Sequence, residues 1–140
     1  MSLSYSKCYP DSFSPTRATS GSVGFDLYSH EHVVLSSSKM CVVATGIKAT
    51  PPPGSYIRIA PRSGLASKGI LVNGGVIDPD YTGEIKVILH NLSNRHYIIA
   101  KGMKIAQMII EKVEIPNLIQ VVVIITESER GSRGFGSSGD

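Results

Sequence analysis

What most constrains this chain is a short rhythm. Apolar residues alternate with polar ones over a few positions, and glycine or proline closes each run before a helical repeat can build up. Tyr56 to Ala60 sets Ile57 and Ile59 on one side, and Glu84 to Asn91 does the same with Ile85, Val87 and Leu89. Met40 to Thr50 is a β-rich run closed by Pro51-Pro52-Pro53-Gly54. Val23 to Tyr28 suits a strand with Asp26 opposite Phe25 and Leu27, where an inward carboxylate needs a partner. Lys104 to Glu111 puts Ile105, Gln107 and Ile109 on one face, so a buried Gln107 amide must be hydrogen-bonded. One helical turn at most is expected, near Ser63 to Lys68. Such a chain is all-β, a barrel or a sandwich, and its 140 residues make one domain that buries about two thirds of its unfolded surface.

Charge and composition exclude several classes. A net charge of +3, scattered along the chain, is too small for a nucleic-acid stripe but suits attraction of a polyanionic small molecule such as a nucleotide. No apolar run reaches membrane length, and no basic segment followed by an apolar one opens the chain, so neither nucleic acid nor membrane is expected as a partner. The expected location is the cytoplasm, with the nucleus also compatible, and not the secretory route. Cys8 and Cys41 match no metal spacing and read as free thiols in a reducing compartment. His30, His32, His90 and His96 read as surface histidines, for no third ligand stands at metal spacing. Residues 1–22, rich in Ser, Thr and Pro, suit an extended arm rather than a packed element.

Chemistry concentrates in three stretches. Asn73 to Asn91 reads NGGVIDPDYTGEIKVILHN, and its Asp-Pro-Asp-Tyr-Thr-Gly core is a turn signal between two strand-like runs, hence a hairpin. Pro79 restricts Asp78 to an extended backbone, which would hold its carboxylate rigidly at a pocket lip; Gly75 and Gly83 would let a ligand approach the main chain. A surface hairpin with an Asx turn would look the same. Pro61 to Gly69, PRSGLASKG, follows a strand with small residues whose amides, with the Ser63 hydroxyl, make a phosphate cradle or simply cap a short helix. The tail after residue 125 is either a flexible terminus or a nucleotide lid, since glycine amides and Arg130 suit phosphate, and Phe135 suits a base. Just before it, Leu118 to Ile125 is apolar on both faces and needs cover, which points to another subunit.

Taken together, these stretches resemble the five ordered motifs of the homotrimeric dUTPase family: VGFDL at 23–27, PRSGLA at 61–66, NGGVIDPDYTGE at 73–84, GMKIAQ at 102–107 and RGSRGFGSSG at 130–139. The resemblance implies a single-domain, distorted jelly-roll-like β-barrel. It also implies a homotrimer that exchanges its C-terminal strand, and a flexible Gly-rich lid over residues 126–140. It implies hydrolysis of dUTP to dUMP and pyrophosphate by water attack on the α-phosphorus, which limits uracil in DNA and supplies dUMP. Asp78 would be the general base and Gln107 a phosphate-site amide that helps hold the water. Mg²⁺ would ride on the triphosphate, reached by Asp26 only through water. Arg62, Ser63 and Gly64 would contact phosphates. Asn73 and main-chain groups from Gly75, Val76 and Ile77 through Gly83 and Lys86 would read uracil, with Tyr81 against the sugar. Arg130 would bind the triphosphate, Phe135 would cover the base, and Gly136, Ser137 and Ser138 would lie by the γ-phosphate.

The departures from the family pattern are few. Val23 replaces a usual Ala, Met103-Lys104 stands where Asp-Arg is common, so that an ion pair there is lost or altered, and Arg133 fills a position that is often small. Two other classes share such a pocket: a nucleotide-binding regulatory protein on the same fold, and a dCTP deaminase-like enzyme. The first would show a damaged base or tail, and the second would need deaminating groups at the pyrimidine.

Overall fold

In the computed structural model, which describes residues 1–123, 127–137 and 139, the short runs become strands. They are β1 (Ser4–Lys7), β2 (Phe25–Tyr28), β3 (Val33–Leu35), β4 (Met40–Thr50), β5 (Ser55–Ala60), β6 (Ile70–Asn73), β7 (Val76–Ile77), β8 (Ile85–Asn91), β9 (Tyr97–Ile99) and β10 (Lys104–Lys112). A single helical turn, α1 (Ser63–Ala66), follows β5. One sheet runs β1-β4-β8-β6, a second β2-β10-β5-β7, and β3 pairs with β9 alone. The two larger sheets close over Leu27, Val43, Ile57, Ile85, Val87, Ile99 and Met108, all fully buried. Each such side chain contributes about 1.5–3 kcal/mol of burial.

The alternation of β8 behaves as its sequence predicts, with Ile85, Val87 and Leu89 inward. β10 does not. A bulge between Lys104 and Ala106 shifts the phase, so that Ile105, Ala106 and Met108 are buried and Gln107 and Ile109 stay half-exposed. Gln107 therefore does not lie in a core row with Ile105. A second bulge, between Ala44 and Ile47, leaves β4 in phase, with Val43, Thr45, Ile47 and Ala49 all buried, and buries Gly46 between them at φ 70°. Thr45 stays satisfied there by donating to the Ile85 carbonyl at 2.5 Å.

The N-terminal arm is extended but packed, contrary to the sequence expectation. β1 pairs with the edge of β4 from Ser4↔Thr50 to Lys7↔Ile47, and Cys8 N donates to Gly46 O at 2.7 Å. An open β4 edge offers unpaired amides and carbonyls, and their pairing outweighs the poor local order of a Ser-rich stretch. Further along, Thr16 bridges Asp26.

The predicted hairpin around Asp-Pro-Asp-Tyr also takes another form. β8 pairs with β6 (Asn73↔Ile88 to Ile70↔Asn91), while β7 between them crosses to the other sheet and pairs with β5 (Ile57↔Ile77, Arg58↔Val76). Gly74 and Gly75, at φ 63° and 97°, make the crossing possible. Residues 118–123 form no ladder within their own chain, and Leu118 and Val122 are fully exposed.

Candidate active site

Ten of the sequence-predicted residues gather into two separate clefts. The first, of about 270 Å³, lies between β7 and β8 and is walled by Val76, Ile77, Asp78, Tyr81, Lys86 and Ile88. Its lip is the turn after β7, closed by the Tyr81 amide donating to the Asp78 carbonyl at 3.1 Å. The Asp78 carboxylate is exposed there, and Lys86 is exposed across from it. Tyr81 is fixed by donating its hydroxyl to the Glu84 carbonyl at 2.7 Å, with its ring lying against Gly83.

The glycines of this stretch have a different reason from the one expected. A side chain at Gly75 would meet the Ile59 carbonyl, and one at Gly83 would meet the Tyr81 hydroxyl, so protein rather than ligand takes the space they leave. Asn73 is half-buried and turned away from the cleft wall, its Nδ2 2.9 Å from Met40 Sδ and 3.4 Å from His90 Nδ1.

The second cleft, about 220 Å³, is formed where β2, β5 and β10 meet α1. Asp26, Arg62, Ser63, Gly64 and Gln107 line it. Asp26 is buried and doubly paired: Arg62 Nε donates to Oδ1 at 3.0 Å, and Lys104 Nζ lies 3.2 Å from Oδ2. The partner demanded by an inward carboxylate is thus two cations. Ser63 and Gly64 are exposed at the start of α1, where the first amides of a helical turn have no internal acceptor. Gln107 donates Nε2 to the Pro61 carbonyl at 2.9 Å, and its Oε1 packs against Gly24, where no side chain would fit.

Lys104 is the site residue that sequence reasoning missed. Read as a place where an ion pair is lost or altered, it forms one with Asp26; the β10 bulge beside it leaves no mark on apolar alternation. Among the described residues no group of three or more His, Cys, Asp or Glu side chains is placed to hold a metal ion. Asp26 already faces two cations, so its carboxylate suits a metal only at one remove, through water.

The two clefts do not meet within one chain. Ile77 stands opposite Ile57 and Gln107 opposite Ala60, three residues or about 10 Å apart along β5, and Asp78 lies one residue further from Gln107. Beyond Asp78 an apolar hollow of about 370 Å³ is lined by Tyr56, Pro79, Val113 and Ile115. Beside it Tyr56 donates to Glu111 Oε2 at 2.5 Å and Arg58 Nε to Oε1 at 2.7 Å. These two bonds lower the Glu111 carboxyl, and the same carboxylate raises the Tyr56 phenol.

The described residues of the tail line neither cleft. Arg130 Nε donates to the Arg133 carbonyl at 2.7 Å and Arg133 Nη2 to the Glu129 carbonyl at 2.7 Å, so residues 128–133 fold on themselves. Phe135 is fully exposed at φ 53°, while Gly136 and Ser137 follow in an exposed turn. Ser138 lies outside the described residues.

The fold is all-β and single-domain, with a carboxylate on a fixed turn beside one cleft and an arginine paired to a buried aspartate in the other. The dUTPase family model matches residues 11–139. The chain belongs to the dUTPase family. It is 47% identical over 139 residues to the deoxyuridine 5′-triphosphate nucleotidohydrolase of Paramecium bursaria Chlorella virus 1, covering 99% of this chain and 98% of that one. The protein of the same description from Saccharomyces cerevisiae is 46% identical over 127 residues, covering 90% of this chain and 86% of that one. Among solved structures, a Staphylococcus bacteriophage 80alpha dUTPase mutant with dUpNHpp is similar at TM-score 0.91 and 28% identity, over 99% of both chains.

Proposed function

We propose that this chain hydrolyses dUTP to dUMP and pyrophosphate, as one subunit of a homotrimer. The observation that carries the reading is the Asp78 turn. An exposed carboxylate stands at the lip of the first cleft, fixed between Ile77, which is paired to β5, and Tyr81, which is tied to Glu84. Groups held that firmly lose little freedom when they meet substrate.

In this reading, uracil enters the first cleft and is read by main-chain groups between Gly75 and Lys86. Asn73 joins once its amide exchanges Met40 and His90 for the base. Cytosine would leave buried donors and acceptors unmatched, and the thymine methyl would meet packed backbone. Tyr81 lies against the sugar and leaves no room for a 2′-hydroxyl. Arg62, Ser63 and Gly64 bind the triphosphate. Water held by Asp78 and Gln107 attacks the α-phosphorus and gives its proton to Asp78; the bond to the bridging oxygen breaks and pyrophosphate leaves. Asp26 would reach a triphosphate-borne Mg²⁺ through water, and the ion would supply charge neutralisation there.

Threefold assembly is favoured by two features of the single chain. Asp78 and Gln107 are too far apart to hold one water, so the phosphate cleft of one subunit completes the base cleft of a neighbour. The exposed apolar segment 118–123 has no cover of its own and would gain it on an adjacent subunit, which also carries Arg130, Phe135, Gly136, Ser137 and Ser138 away to close another site. The unpaired thiols of Cys8 and Cys41 fit a cytoplasmic or nuclear location. The test is pyrophosphate release from dUTP, dCTP, dTTP and UTP: dUTP alone should be turned over efficiently, and comparable turnover of dCTP or UTP would overturn the reading.

A further inference from the structure

A third cleft, the most spacious of the three at about 530 Å³, opens on the far side of Arg62 and has no part in the chemistry above. Its walls are Gly64, Ser67 and Lys68 on the α1 side and Tyr97 and Lys104 on the other, with Arg62 at the junction. Leu65 and Met103 complete the lining, so three of its eight residues are cations and none is an acid. The nearest carboxylate, Asp26, faces the phosphate cleft and is shared by Arg62 and Lys104. Lys68 makes no ion pair among the described residues; its ammonium lies 5.8 Å from the centre of the Tyr97 ring, which positions the charge without neutralising it. Positive charge in a concave site of low polarisability concentrates its field and draws anions inward.

Arg62 and Gly64 line both this cleft and the phosphate cleft, so the two are neighbours on either side of one guanidinium. An anion can pass from one to the other without leaving the field of Arg62. When a triphosphate is cut at its α-phosphorus, the piece freed on that side is inorganic pyrophosphate, the product with the greatest charge density. We propose that the Arg62–Lys68–Lys104 cleft is a pyrophosphate site that receives this product as it leaves the phosphate cleft. The proposal rests on the reading of the chain as a dUTP hydrolase. It assigns Lys68 and Tyr97 to product binding and leaves them out of the chemical step.

The test compares wild type with Lys68→Gln, Lys68→Glu and Lys68→Arg, all exposed changes that leave the core intact. Inhibition of dUTP turnover by inorganic pyrophosphate is measured together with KM and kcat. Loss of one charged contact at a partly solvated site should raise the pyrophosphate inhibition constant about fivefold in Lys68→Gln. The rise should be larger in Lys68→Glu and nearly absent in Lys68→Arg, with KM for dUTP and kcat at low product unchanged. An unchanged inhibition constant overturns the proposal. So does a KM that rises by the same factor, because the cleft would then hold the terminal phosphate of bound substrate. Calorimetric titration of the full-length protein with pyrophosphate alone needs no turnover. If wild type binds pyrophosphate and Lys68→Glu binds it more weakly while no dUTP is hydrolysed, the functional reading has failed and the anion site stands. Equal binding by the two sinks the site whatever the activity.

Discussion

The amide of Tyr81 donates to the carbonyl of Asp78 at 3.1 Å, so the residue proposed as base and the residue proposed to lie against the sugar are locked together by main chain rather than by side chains. Asp78→Asn keeps that bond and the shape of the turn. It removes only the ability to accept a proton from water. Turnover should fall by about 10²- to 10⁴-fold while affinity for a non-hydrolysable dUTP analogue stays near wild type. Unchanged turnover would remove Asp78 from its role.

Asp26 holds two cations, and removing its charge leaves both facing each other. Because Arg62 and Lys104 have side chains 34% and 40% exposed, water screens much of the effect. Asp26→Asn should cost about 1–2 kcal/mol of stability, less than a fully buried pair would. Thermal or denaturant unfolding checks this. An unmoved midpoint would mean that the cluster adds nothing net to the fold.

The turns at 128–137 make their bonds among themselves and add nothing to the core. Phe135→Ala and deletion of residues 130–140 should therefore leave unfolding unchanged while lowering kcat/KM for dUTP by at least tenfold, since a lid acts by closing over substrate. A deletion variant that no longer assembles would make the tail structural.

If base and tail come from different subunits, two inactive chains should repair each other. Asp78→Asn mixed with a chain truncated before Arg130 should regain about a quarter of wild-type activity in a closed trimer with random mixing. A working site then takes Asp78 from the truncated chain and the tail from the substituted one. No recovery in proven mixed trimers would mean that each tail folds back on its own subunit.

The docked arm brings its own pH dependence. Lys101 Nζ lies 2.6 Å from Asp11 Oδ2 and His30 Nε2 lies 3.0 Å from Oδ1. Mainly through Lys101 and then His30, these contacts lower the Asp11 carboxyl from the usual 3.8 to about 2. A carboxyl depressed by folding stabilises fully above its unfolded value and loses that contribution as pH falls through its folded one. The Asp11 anchor should hold at pH 4 and fail as pH approaches 2. Carbon chemical shifts of the Asp11 carboxyl across this range should give a midpoint near the lower value; a midpoint near 3.8 would show that the contacts do not persist in solution.

How far the sequence could be read depended on what each feature needs from distant residues. Ile85, Val87 and Leu89 announce their own burial because a regular strand alternates with period two, and the structure leaves that strand unbroken. Gln107 was misplaced because a bulge changes the phase without changing which residues are apolar. The path of β7 was equally hidden. Its two residues, Val76 and Ile77, carry a β-strand signal, but nothing local says that their partner is β5 rather than β8. The arm was misjudged because what orders it is the unpaired edge of β4, some forty positions away. The five motifs were legible as motifs, whereas the division of the first four between two clefts is a matter of tertiary spacing.

Because β7 leaves the β6–β8 sheet and returns to it, residues 74–84 act as a stitch through both layers of the barrel. Pulling that stretch open means breaking bonds to β5 on one side and distorting the β6–β8 ladder on the other. The amides of β7 that pair with β5 should therefore exchange with solvent more slowly than those of the exposed turn that follows Asp78. A pocket sewn in this way cannot adjust its width to a wrong base. In the proposed reaction, closure over substrate then falls to residues 128–137, whose hydrogen bonds are among themselves, so the groups that choose the base and the groups that cover it need not compromise with each other.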